Sequence, residues 1–127
     1  MGMKERGRAA AIWLPPLALM VLIFALSSMP TDDPDRGLAH LILRKAAHFT
    51  EYALLAGLWW RALRTRLEAR AALVAAFSIA AAYAVTDEIH QTFVDTRVGS
   101  PVDVLIDLAG AGAAAALIAR RGGRLPA

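Results

Sequence analysis

The sequence TDEIHQTFVDTRVGSPVDVLIDLAG, residues 86–110, sets a group of charged and polar side chains between two runs that are almost wholly apolar. These side chains include Asp87, Glu88, His90, Gln91, Arg97, Asp103 and Asp107. In an apolar environment such groups cost free energy unless they pair or serve a function. The stretch is therefore either the surface of a soluble protein or a site inside a membrane.

The composition favours the membrane. The chain has 127 residues, of which 57% are hydrophobic and 20% are charged, which predicts one all-α domain over residues 1–127 with room for about four helices. It contains no cysteine, which excludes disulfides and thiolate metal sites. Basic residues lie at the ends of apolar segments rather than in one stripe, which argues against nucleic-acid binding.

Four helices are predicted, at about residues 9–29, 44–63, 70–93 and 101–119. The first contains an uncharged run over residues 10–28, close to the ~20 residues that cross a bilayer and longer than the apolar core of a signal peptide. Pro15 and Pro16 are expected near its start, where missing donors matter least. Residues 29–43 have turn chemistry and are expected to form a loop, passing into a short helix near residues 38–43.

The topology rests on charge, because only the first segment is expected to pass a hydropathy window cleanly. If the N-terminus is cytoplasmic and the segments alternate, ten of the fourteen basic residues lie on the inner side, as the positive-inside rule requires. Trp59, Trp60 and Arg61 mark the inner end of the second helix. We therefore predict a compact transmembrane bundle with both termini cytoplasmic, in which the polar residues of three helices lie at one outer depth.

The second helix carries Lys45, His48 and Tyr52 at i, i+3 and i+7, with Glu51 beside His48, so they share a face. One interpretation makes this face part of a site. The other has Lys45 reaching the headgroups and His48 bonding Glu51.

On the third helix, the polar residues span roughly 160° of one side; they are Asp87, Glu88, His90 and Gln91. This arc suits a helix that lines a cleft, or one that leaves the membrane early. Ser100, Pro101 and Asp103 have the spacing of a helix start. Asp107 lies one turn deeper on the same side.

Acids exceed bases at this predicted outer site. Five acids (Glu51, Asp87, Glu88, Asp103 and Asp107) against two bases (Lys45 and Arg97) leave a net charge of −3 with neutral histidines. Carboxylates packed together in such excess tend to take up protons, a metal ion or a cationic ligand. Because no HExxH-like spacing is present, the sequence predicts no metal and no other cofactor.

Three motifs resemble the VanZ-like family: K-x-x-H-F-x-x-Y at residues 45–52, E-x-x-Q-x-F at residues 88–93, and R-x-x-S-x-x-D at residues 97–103, followed by Gly110. The resemblance covers residues 44–112. It implies a bacterial multi-pass protein of the cytoplasmic membrane, from a family associated with low-level resistance to teicoplanin, a lipoglycopeptide. Asp107 departs from the pattern, because such proteins commonly have Asn there.

We predict an outer pocket that binds an amphiphile or a lipid-linked cell-envelope precursor and affects lipoglycopeptide susceptibility. Its predicted ligand-binding residues are Lys45, His48, Glu51, Tyr52, Glu88, Gln91, Arg97, Ser100, Asp103 and Asp107. One alternative is a lipid-headgroup enzyme, with Glu88 or Asp87 as general base and His48 as proton shuttle. Another is a purely structural ion-pair network. Membrane lipids are the expected partners, and homo-oligomerisation is left open.

Overall fold

The computed structural model describes residues 1–29, 37–94 and 100–122, and within those ranges the chain is built of helices without strands. The helices are α1 (Met3–Ser27), α2 (Gly37–Leu63), α3 (Ala69–Gln91) and α4 (Pro101–Gly122). The prediction of an all-α protein with about four helices is confirmed.

Two helices begin earlier than the sequence predicts. α1 begins at Met3, where the Gly2 N–H donates to the Glu5 carboxylate at 2.9 Å and caps the first turn. Pro15 and Pro16 consequently lie inside α1 rather than near its start, a position that membrane helices tolerate. α2 begins at Gly37, whose φ of 84° favours glycine. The short helix expected near residues 38–43 is therefore the first part of α2 and not a separate element.

Three helices, α1, α3 and α4, are long and apolar enough to cross a membrane. The expectation that only the first segment passes a hydropathy window was wrong, because α3 and α4 each keep their carboxylates at one end. α2 has 27 residues, which span about 40 Å at the rise of an α-helix. The polar turns between Arg44 and Glu51 lower its hydropathy, so α2 is not among the helices that are apolar enough to cross a membrane.

α2 is the central helix, packing on each of the other three and most extensively on α4. α3 presents a buried stripe of alanines at four-residue spacing (Ala72, Ala76, Ala80 and Ala84) to this core. Small residues let membrane helices approach closely. The stripe continues into Asp87, Glu88 and Gln91, which are also buried, so the polar end of α3 faces other helices.

Candidate functional site

The polar face of α2 meets carboxylates from two other helices. Lys45 Nζ forms an ion pair with Asp103 Oδ1 of α4, and His48 Nδ1 lies 3.1 Å from Asp107 Oδ1, also of α4. Further along the same face, the Tyr52 hydroxyl donates to Asp87 Oδ2 of α3 at 3.4 Å. The structure thus brings together polar residues from the second, third and fourth helices.

The α4 side of this cluster follows from helical spacing. Asp103 and Asp107 are one turn apart, so both project from the buried face of α4. The side chain of Asp107 is only 1% exposed. One turn further, Gly110 lies directly against the backbone of Phe49. This close approach of α4 to α2 places Asp107 within hydrogen-bond distance of His48.

Asp87 of α3 is held by neutral donors. Its Oδ2 accepts from the Tyr52 hydroxyl and, at 3.3 Å, from Gln91 Nε2. The Gln91 amide also donates to Ser27 Oγ of α1 at 3.4 Å. Ser27 is buried and was not among the predicted site residues. A small polar residue at the end of an otherwise apolar run was the available signal for it.

The polar arc predicted on α3 divides into two directions. His90 turns toward α1, where its ring stacks on Phe24 with centroids 4.4 Å apart and Nε2 lies 3.4 Å from Ser28 Oγ. Glu88 instead accepts the backbone N–H of Ser100 through Oε1. Ser100 Oγ in turn accepts the Val102 N–H at 3.2 Å. Glu88 and Ser100 therefore hold the start of α4 against α3.

Glu51 faces a cleft rather than the carboxylates of α4. Together with His48 it lines a cavity of about 400 Å³ between the last turns of α1 and the first half of α2. The other lining residues are Ile23, Leu26, Ser27, Met29, His40, Leu43, Arg44 and Ala47. The hydrogen bond that the structure gives His48 goes to Asp107, not to Glu51 as one interpretation expected.

Charge compensation at the site is uneven. Arg97, one of the two predicted bases, lies outside the described residues. Among the described contacts, Lys45 faces Asp103 and His48 faces Asp107, while Asp87 receives hydrogen bonds from uncharged groups. A buried carboxylate held only in this way carries a desolvation cost.

His48, Asp87 and Asp107 also form a group with metal-ligand chemistry. Each offers one nitrogen or oxygen ligand atom, and these atoms all lie within 4.8 Å of one another. The sequence names all three residues at the outer site but does not group them as ligands, because they come from three helices and only packing brings them together.

Comparison with known proteins gives one family. Residues 12–121 match the family model described as VanZ/LLP1, a range that includes most of α1, all of α2 and α3, and all of α4 but its last residue. No curated protein and no solved structure shows a significant match to the chain.

Proposed function

The chain belongs to the VanZ/LLP1 family and is a membrane protein, and on that premise we propose that its cleft between α1 and α2 binds an amphiphile of the bacterial cell envelope. The occupant is a membrane lipid or a lipid-linked envelope precursor. In this proposal the protein crosses the cytoplasmic membrane several times and its cleft lies in the outer leaflet. Binding of the amphiphile there affects lipoglycopeptide susceptibility.

The observation that carries this proposal is the two-sided lining of the cleft. Ile23 and Leu26 of α1 form an apolar wall, while Arg44, His48 and Glu51 of α2 form a polar one. A volume of about 400 Å³ lies within the usual range for small-molecule sites. An amphiphile matches this lining because its acyl chain packs on the apolar wall and its headgroup bonds the polar one.

Lys45 lies outside the cleft lining, next to Arg44 on α2, and in this proposal it is a further contact for an anionic headgroup. Its ion pair with Asp103 orients the ammonium group, which has three donors. The Lys45 side chain remains 34% exposed, so a phosphate oxygen can reach the donors that Asp103 does not use.

Two neighbouring alanines of α2 give a matched test. Both Ala46 and Ala47 are exposed, but only Ala47 belongs to the cleft lining. We expect Ala47→Trp to fill the cleft and to abolish the lipid adduct seen by native mass spectrometry of detergent-purified protein. Ala46→Trp adds the same ring beside the cleft and should keep the adduct. An adduct retained by Ala47→Trp, or missing from the wild type, contradicts the proposal.

The same pair extends the test to cells. Expression of the wild type in a teicoplanin-sensitive bacterium should shift the minimal inhibitory concentration, and Ala47→Trp should abolish that shift while Ala46→Trp preserves it. Equal shifts for both variants would separate susceptibility from the cleft.

A structural role for the polar network is the second candidate function. Each of the contacts Lys45–Asp103, His48–Asp107 and Tyr52–Asp87 joins two helices, as a network that locks the bundle requires. In that case, removing one partner lowers thermal stability, and filling the cleft with Ala47→Trp changes neither lipid retention nor susceptibility.

A further inference from the structure

We propose that His48, Asp87 and Asp107 bind a divalent transition-metal ion, Zn²⁺ or Mn²⁺, between α2, α3 and α4. One imidazole and two carboxylates form a mixed nitrogen and oxygen donor set. Imidazole suits Zn²⁺ and carboxylates suit both Zn²⁺ and Mn²⁺, whereas sites for Mg²⁺ and Ca²⁺ are built mainly from oxygen. The proposal goes beyond the binding of an amphiphile and does not depend on it.

The distances between the three ligand atoms fit a single ion bound by all of them. Ligand atoms bound at 2.0–2.2 Å in a tetrahedral site lie roughly 3.4 Å apart. His48 Nδ1 and Asp107 Oδ1 are already 3.1 Å apart, and the whole set lies within 4.8 Å. A closure of about 1.5 Å at the widest separation is therefore enough to form the site. The ion takes the place of the proton on His48 Nδ1. From an imidazolium that proton is released to solvent, and in a neutral imidazole it moves to Nε2.

The charge of the cluster favours a cation. Asp87 and Asp107 are 4% and 1% exposed, and with a neutral imidazole they bring two negative charges into the bundle. Protonation of His48 offsets only one of them. Buried carboxylates are costly among membrane helices unless they are compensated. A divalent ion makes the cluster neutral in one step.

The groups around His48, Asp87 and Asp107 hold these side chains in place. Two donors, the Tyr52 hydroxyl and Gln91 Nε2, converge on Asp87 Oδ2 and fix the orientation of that carboxylate. Contact of Gly110 with the Phe49 backbone fixes the spacing of α2 and α4. Three protein ligands leave a fourth position for water, which can arrive through the cleft that His48 also lines.

Metal stoichiometry and affinity test the proposal directly. The full chain, purified in detergent and treated with chelator, is equilibrated with Zn²⁺ or Mn²⁺ and its bound metal measured by mass spectrometry. We expect about one ion per wild-type chain and an affinity at least ~tenfold weaker for Asp107→Asn. Equal binding by the wild type and Asp107→Asn, or no binding by the wild type, overturns the proposal.

Two controls make the result specific. Glu68→Gln removes the same charge from an exposed residue at the opposite end of α3 and should bind metal as the wild type does. Ala47→Trp should also keep the metal, which separates this proposal from that of the amphiphile. Loss of metal from Glu68→Gln would mean binding governed by net charge and would overturn the assignment.

A stability measurement covers the case in which Asp107→Asn does not fold. Zn²⁺ or Mn²⁺ should raise the melting temperature of the chelator-treated wild type, because an ion that binds only the folded chain stabilises it. The shift should be absent in His48→Gln, whose side chain keeps a hydrogen-bonding amide but loses the imidazole ligand. A wild type whose melting temperature does not respond to either ion overturns the proposal.

Discussion

Gly110 of α4 lies so close to Phe49 of α2 that a Cβ on Gly110 would overlap the Phe49 carbonyl group and lie 2.9 Å from its carbon atom. The glycine is therefore required for close approach of two backbones. On α2 this contact is at the residue that follows His48, and on α4 it lies one turn from Asp107. It fixes the depth at which their side chains meet.

Gly110→Ala should destabilise the protein by about 1–3 kcal/mol, because the clash is with rigid backbone and α2 and α4 must separate. Gly112→Ala is the matched control, since its Cβ would meet the Phe77 ring at 3.8 Å, an ordinary van der Waals contact. Unfolding in mixed detergent micelles compares the two free energies. Equal stabilities for the two variants would show that the helices are not held at the observed spacing.

The Lys45–Asp103 ion pair should show a measurable coupling energy. The Asp103 side chain is only 11% exposed, so the pair is better shielded from water than a surface pair. In a double-mutant cycle with Lys45→Met and Asp103→Asn, we expect about 1 kcal/mol of coupling in the free energy of unfolding.

Arg64 supplies the control for that cycle. It is exposed just after α2, near the Trp60 ring, at the opposite end of that helix from Lys45. Arg64→Met combined with Asp103→Asn should therefore be additive within about 0.5 kcal/mol. A Lys45 cycle that is equally additive would mean that the pair contributes nothing to the bundle.

The sequence predicts the fold class and much of the site because both depend on local periodicity. Lys45, His48 and Tyr52 share a face by their spacing alone, and Asp103 and Asp107 share one for the same reason. A polar face that must be shielded from lipid is expected to turn toward other helices. Whether those faces bind a ligand stays a prediction.

What the sequence does not contain is the partner of each side chain. His48 had an acceptor three residues away in Glu51, yet the close helix crossing at Gly110 gives it Asp107 instead. The sequence predicts a short helix near residues 38–43, but not that this helix is continuous with the second one, which begins at Gly37. The grouping of His48, Asp87 and Asp107 depends on the packing of three helices, so the sequence names these residues without showing that they meet.

The hydroxyls of the buried Tyr52 and the partly buried Tyr83 should differ in their contribution to stability. Tyr52→Phe deprives the buried Asp87 carboxylate of a donor, and we expect it to cost about 1–3 kcal/mol. Tyr83→Phe removes a hydrogen bond to the Met20 carbonyl oxygen. Because that oxygen lies within an α-helix and already accepts a backbone N–H, we expect the change to cost about 0.6 kcal/mol. Unfolding free energies measured in the same detergent would refute the prediction if Tyr83→Phe were the more damaging change.

The predicted topology is tested by single cysteines, because the chain has none of its own. Thr65, between α2 and α3, and Thr92, at the end of α3, are both exposed and lie at opposite ends of α3. With four crossings and both termini inside, a membrane-impermeant maleimide should label Thr92→Cys in intact spheroplasts and Thr65→Cys only after lysis. If α2, which lacks the hydropathy of the other three helices, lies on the outer surface instead of crossing, α3 runs the other way. Labelling of Thr65→Cys alone in intact cells would then replace the four-crossing topology with one of three.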